Sequence, residues 1–164
     1  MAMGQSGQVD DLSGACGIAA ALAVVGERWS FLILRGVFNG LHHFEEYQST
    51  LGIARNILSN RLARLVEHGI LAREPDPADR RRVAYRLTDK GKELLPVLIA
   101  LRQWGERWLS GVPGNPVLVD RVTRQPVAAM AVRSADGRPL KLRDLEWLDR
   151  GEIDWKDVPA DDAA

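Results

Sequence analysis

The chain has 164 residues, 46% of them apolar and 27% charged, with 22 basic and 22 acidic side chains and no formal net charge. That is enough for one compact domain, or one with an appendage, around a real core, with a globular composition. No apolar run approaches the roughly 20 residues that span a bilayer, so no membrane association is expected. MAMGQSGQVDD lacks the basic region and apolar core of a secretory signal. One cysteine excludes an internal disulfide and suits a reducing cytoplasm, the expected location.

Zero net charge gives no support to nucleic-acid binding, but the charge distribution does. From Ala54 to Lys92 there are ten basic residues against five acidic ones, whereas Asp144–Ala164 holds eight acidic and two basic. Local basic clustering governs phosphate binding more than the whole-chain sum.

In chain order, residues 1–11 are expected to form a flexible N-terminus. Asp11-Leu12-Ser13 offers capping groups ahead of Cys16–Val25, an uncharged, alanine-rich run that predicts a helix either buried or packed on a partner chain. After Gly26, Arg28–Phe38 predicts the central core helix, with Trp29, Leu32, Ile33 and Val37 inward. Trp29 as a core residue is preferred to Trp29 as a ligand-stacking one. Asn39-Gly40 is a turn. His43–Leu51 is a short amphipathic helix with Phe44, Tyr47 and Leu51 on its apolar face.

Gly52 then leads into Ile53–His68, the stretch that organises the rest. Leu58, Leu62 and Leu65 recur at helical spacing, with Ile57 and Val66 beside them. Arg55, Asn56, Ser59, Asn60, Ala63 and Arg64 fall largely on the other side, as side chains able to reach base edges and phosphates. Helix, glycine turn, helix is the helix-turn-helix pattern, whose second helix enters the major groove.

Gly69 is placed as a helix C-cap. Ile70–Glu74 predicts a strand, Pro75–Asp79 a turn and Arg82–Leu87 a second strand, and a β-hairpin directly after a helix-turn-helix makes a winged helix. Its tip carries Arg80, Arg81 and Arg82, placed to clamp the sugar-phosphate backbone or an adjacent minor groove. Thr88-Asp89 caps a helix expected to run from Lys90 to Leu109, with Pro96 in its early turns. Leu94, Leu98, Leu101, Trp104 and Trp108 form a stripe longer than one small domain covers. With Ile18 and Leu22 of the first helix, that stripe predicts a homodimer interface.

Several of these features resemble the HxlR-type winged-helix transcriptional regulators. They are Cys16, the Gly26-x-x-Trp29-x-x-Leu32-Ile33-Leu34-Arg35 run, Phe44, and Ile57-Leu58-x-x-Arg61-Leu62-x-x-Leu65. Gly69-Ile70-Leu71, Val83-x-Tyr85-x-Leu87-Thr88-x-x-Gly91 and Leu94-x-Pro96-Val97-Leu98 complete the set. The similarity covers roughly residues 16–108. It implies a bacterial or archaeal dimer, docking double-stranded DNA at a near-palindromic operator. It also implies that Cys16 senses quinones, aldehydes or oxidants, through an adduct or an intersubunit disulfide, making an electrophile or other small molecule the effector. A helix N-terminus favours the reactive thiolate. The alternative is a cysteine that packs as a small hydrophobe among alanines.

The fold class expected is α+β, mainly α. A flexible 1–11 precedes a DNA-binding and dimerisation domain at 12–109. Residues 110–148 form an extension predicted as a β-hairpin, Val117–Val122 against Val127–Val132, and 149–164 an acidic tail. Such an extension is a departure from relatives that are little more than the winged helix. No metal site is expected, because Cys16, His42, His43 and His68 lack ligand spacing; His42 and His43 are read as exposed helix-start residues. No P-loop, GxGxxG or GxSxG is present, and no catalytic residue or cofactor is expected. The competing reading is a winged helix that docks a protein, its arginines only surface charge. A small-molecule or enzymatic role would require a pocket lined from the extension.

Overall fold

A computed structural model of the chain describes residues 16–153. The flexible N-terminus expected at 1–11 and most of the acidic tail expected at 149–164 lie outside the described residues. The chain divides into two compact units, the first ending at Leu98 and the second starting at Ile99.

The first unit is built of helices and one two-stranded sheet. Helix α1 (Gly17–Val25) follows Cys16, and α2 (Arg28–Phe38) follows Glu27. Helices α3 (Phe44–Leu51) and α4 (Arg55–Glu67) form the helix-turn-helix. Gly52 joins them at φ 60°, a left-handed conformation that L side chains resist. Strands β1 (Leu71–Pro75) and β2 (Val83–Leu87) pair antiparallel, with Leu71 opposite Leu87 and Pro75 opposite Val83. The fold is therefore mainly helical with a small antiparallel sheet, in the order of a winged helix.

One apolar cluster holds these elements. Ile33, Leu34 and Val37 of α2 meet Tyr47 of α3, Ile53 of the turn, Leu58, Leu62 and Leu65 of α4, and Ile70 and Leu71 at the start of the wing. Leu34, rather than the expected Leu32, fills the centre. Leu32 and Trp29 are only half-buried, Trp29 packing at the edge. Tyr47 is completely buried, and its hydroxyl donates to the Leu41 carbonyl at 2.6 Å. Gly36 makes room for it: a Cβ there would come within 3.0 Å of the Tyr47 ring.

Helix α1 departs from the buried alternative. Only Val25 is buried, while Ile18 and Leu22 are 71% and 54% exposed. The single long helix expected over Lys90–Leu109 is also divided. Thr88 caps a short α5 (Asp89–Lys92), its Oγ1 accepting the Gly91 N–H at 3.1 Å. The chain then restarts as α6 (Leu95–Gly105). Proline has no N–H and its ring collides with the preceding turn, so Pro96 is accommodated in the first turn of a new helix, not inside an old one. A turn of π-helix over Glu106–Ser110 ends at Gly111, φ 69°.

The second unit carries the extension. Where a hairpin of two strands was expected, the described residues hold only single antiparallel bridges, Val119 with Pro126 and Arg133 with Pro139. Each bridge has a proline on one side, and a residue without an N–H cannot extend a ladder. Short 3-10 turns cover Leu142–Asp144 and Arg150–Glu152. The extension is held to α6 by side chains: Arg102 donates to the Gly114 carbonyl at 3.1 Å and also to the Pro116 carbonyl, while Gln103 donates to the Ala128 carbonyl and accepts the Met130 N–H. No single helix among the described residues is long and apolar enough to cross a membrane.

The core assignment predicts an asymmetry along α4. Leu62→Ala, at a site 1% exposed, should lower unfolding stability by about 2–5 kcal/mol in urea titration. Ile57→Ala, on the partly open flank, should cost less than about 1 kcal/mol; equal losses would contradict the assignment.

Candidate nucleic-acid interface

Helix α4 has two chemically distinct sides. Leu58, Leu62 and Leu65 are buried, and Arg55, Asn56, Ser59, Asn60 and Ala63 are exposed. The first turn has an extra constraint: the Arg55 guanidinium stacks over the Phe44 ring, 5.0 Å from its centroid. This cation–π contact limits the arc that a long, charged side chain can sweep. Among the described residues, Asn56, Ser59 and Asn60 have no intramolecular side-chain hydrogen bond, which leaves their donors and acceptors open to an incoming partner.

The other two arginines of α4 are engaged within the chain. Arg61 is 17% exposed and ion-paired with Glu27, at the start of α2. Arg64, expected on a phosphate, instead donates its Nη2 hydrogen to the Ala23 carbonyl near the end of α1. That carbonyl lies in the last turn, where the helix has no N–H to satisfy it. Arg64 therefore ties α1 to α4 while its side chain stays exposed.

The wing loop between β1 and β2 presents Arg80, Arg81 and Arg82, all exposed. Arg81 folds back locally, its Nε 3.1 Å from Asp79 Oδ1. This bond, with the Arg81 N–H, holds the Asp79 carboxyl below the usual carboxylate range. The loop is closed by backbone bonds, from the Asp76 N–H to the Arg82 carbonyl at 2.9 Å and from the Arg82 N–H to the Asp79 carbonyl at 2.8 Å.

The wing is fastened to the helix-turn-helix at one place that the sequence reading missed. The Tyr85 N–H donates to the His42 carbonyl at 2.7 Å, and the Tyr85 ring meets Tyr47 edge-on with centroids 6.5 Å apart. His43, next in the chain, hydrogen-bonds Asp76 of the wing loop and lies 3.0 Å from Glu46 Oε1. His43 is thus not an exposed helix-start residue. The spacing of His43 and Glu46, N-cap and third helical position, is that of a capping box and is the available signal. The contact with Asp76 is 33 residues distant and left no local trace.

The remaining expected positions are distributed as follows. Cys16 is half-buried at the start of α1. Leu94 packs at the edge of the core and Leu98 is half-buried. In the second unit Leu101, Trp104 and Trp108 are exposed, Trp108 at 66%. Both indoles, with Val112, Val127 and Met130, line an open cavity of about 770 Å³. Among the described residues no three His, Cys, Asp or Glu side chains converge as metal ligands would.

Comparison with known proteins places this geometry. Residues 24–112 match the HxlR-like helix-turn-helix family. The HTH-type transcriptional regulator Rv3095 of Mycobacterium tuberculosis is 43% identical over 100 residues, 61% of this chain and 63% of that one. The matched stretch thus spans less than two thirds of that relative. The crystal structure of PA1607, a candidate transcription factor, superposes with a TM-score of 0.77 at 43% identity, covering 84% of this chain and 96% of that one. So large a share reaches past residue 112, so part of the extension has a counterpart there. The redox regulator HypR in its oxidised form superposes with a TM-score of 0.51 at 28% identity, covering 56% of this chain and 96% of that one. With more than half of its residues inside the family match, this chain belongs to the HxlR-like helix-turn-helix family.

Proposed function

We propose that this protein regulates transcription by binding double-stranded DNA as a homodimer at a near-palindromic operator. The observation that carries the reading is the sorting of side chains on α4. Three leucines are locked into the core, and Arg55, Asn56, Ser59 and Asn60 are left open on the side a major groove would receive. In this reading those four lie nearest the base edges. Arg80, Arg81 and Arg82 reach phosphates or the adjacent minor groove from the wing, with Arg80 and Arg82 contributing most because Arg81 is engaged by Asp79. Arg64 leaves the contact set, because its guanidinium serves the Ala23 carbonyl.

Homodimerisation is supported by apolar faces left open on α1 and at the end of α6: Ile18, Leu22, Leu101, Trp104 and Trp108. Apolar area of this kind usually marks an interaction site. An effector role for Cys16 is supported by its place at the N-terminus of α1, beside that open face, and by the likeness to HypR, a redox regulator. Oxidation of two Cys16 thiols to one intersubunit disulfide would alter the spacing of the two α4 helices.

Four outcomes are expected. In fluorescence anisotropy against DNA from its own upstream region, Asn56→Ala should cost about 1–3 kcal/mol and relax preference at one base position. Arg80→Ala with Arg82→Ala should instead lower affinity for all sequences and reduce the salt slope by about two units. An unchanged slope would remove the wing from the interface. Leu22→Glu should sediment as a monomer where the parent sediments as a dimer. Diamide should produce a covalent dimer and change DNA affinity in the parent, and do neither in Cys16→Ser. Indifference of the parent would make Cys16 a packing residue.

A further inference from the structure

His43 stands between two carboxylates from different elements. Its Nδ1 faces Glu46 Oε1 on α3 and its Nε2 faces Asp76 Oδ2 in the wing loop, with the side chain 12% exposed. Both carboxylates are already held in the ionised form. Glu46 Oε2 accepts the N–H groups of His42 and His43 at 2.8 and 2.9 Å, which with the His43 ring bring its pKa down to about 2. Asp76 Oδ1 accepts the Ala78 N–H at 2.7 Å, and that bond, followed by the one to His43, lowers its pKa. An ionised carboxylate only accepts, and a neutral imidazole donates from one nitrogen only. Two hydrogen bonds from this ring therefore require the imidazolium.

Asp76 is also the residue that closes the arginine loop, through its N–H to the Arg82 carbonyl. One of its carboxylate oxygens is tied to the loop and the other to His43. The rest of the wing attachment, Tyr85 to the His42 carbonyl and to the Tyr47 ring, involves no charge.

We propose that His43 is a positioning residue for the wing, whose imidazolium clamps Asp76, and with it the loop bearing Arg80–Arg82, against the start of α3. Loss of the ring proton releases the loop while the base of the wing stays fastened. The inference rests on the reading of the wing as a phosphate contact.

The groups facing the ring set the sign. The hydrogen bond with Glu46 raises the His43 pKa, burial opposes it, the bond with Asp76 raises it, and the nearby Arg82 charge opposes it; the result is a pKa above the ordinary 6.5. A histidine raised on folding stabilises its contact fully below the unfolded value, and the contact is lost as pH rises through the folded value. The clamp is thus closed in mild acid and opens on the alkaline side.

The test pairs a measurement without DNA and one with it. An NMR titration of the His43 ring, with amide protection factors for residues 76–82, needs only the protein. The His43 midpoint should lie above 6.5, fall in Asp76→Asn, and coincide with loss of loop protection. A midpoint at or below the ordinary value, or one unmoved by Asp76→Asn, overturns the clamp. Salt slopes of DNA binding are then compared at about pH 6 and about pH 8.5, either side of the histidine range. The parent should lose about one to two units of slope at the higher pH, the weight of one or two phosphate contacts. His43→Arg, a permanent two-pronged cation, should keep the steep slope at both pH values, and His43→Gln the shallow one at both. A merely structural histidine would not send the two variants in opposite directions. A clamp that titrates and loosens the loop while the slope stays fixed overturns the wing reading and leaves the clamp standing.

Discussion

The burial of Leu58, Leu62 and Leu65 along one side of α4 is the constraint on which the rest of the first unit depends. Each is at most 1% exposed, and together they meet side chains from α2, α3, the Gly52 turn and the entry to the wing. A helix of thirteen residues is marginal alone in water. Its rotation about its own axis is set by what it buries. Once three leucines at helical spacing are committed, the azimuth of every other side chain on α4 is fixed. Asn56, Ser59 and Asn60 have no freedom to face elsewhere. The open polar side is a consequence of the packed apolar one, and needs no separate device.

The same commitment divides the arginines, and here helical position decides more than composition does. Arg55 and Arg61 differ by six residues, and Arg61 and Arg64 by three. Yet Arg55 lies over Phe44 in the open first turn, while Arg61 and Arg64 reach Glu27 and Ala23. An exposed ion pair contributes little to stability, about 1 kcal/mol or less. A guanidinium donating to a helix-end carbonyl satisfies an acceptor that would otherwise need water. Arg64 serves the joint between α1 and α4, and Arg61, shielded against the start of α2, serves a similar joint one turn earlier. Of the ten basic residues between Ala54 and Lys92, several therefore build the framework, and a count of charge overstates what is free to meet a phosphate.

What the sequence disclosed follows the range of the forces involved. Periodicity, the Gly52 turn, the Thr88 cap and the hairpin are local signals, and each element from α1 to β2 stands within a residue or two of its expected place. The wing, its three arginines and the apolar excess on α1 and α6 were legible for the same reason. The failures are non-local or concern chain termination. Nothing near Arg64 marks Ala23, 41 residues earlier, as its acceptor, and nothing near His43 marks Asp76. The valines of the extension predict strands, but β-branched residues favour a strand only where a partner can continue the ladder. Pro126 and Pro139 each occupy a bridge position and stop it. Pro96 moves the helix start to Leu95 instead of bending a continuous helix.

Those prolines give the extension its character. Without a ladder its backbone must find acceptors and donors elsewhere, and α6 supplies them. Gln103 spends both ends of its amide on Ala128 and Met130, and Arg102 serves two carbonyls of the turn after Gly111 while its Nε is held by Glu106 at 2.6 Å. The extension is thus clipped by the side chains of Arg102, Gln103 and Glu106, the last accepting the Gly114 N–H at 2.8 Å, and its large apolar side chains are mostly exposed. That explains why the indoles of Trp104 and Trp108 are left uncovered although a chain of some fifty residues follows them. Both indoles, with Val112, Val127 and Met130 of the extension, line the open cavity on this side of the helix. The two faces of α6 are divided as those of α4 are, one committed to holding the chain and the other left apolar and open.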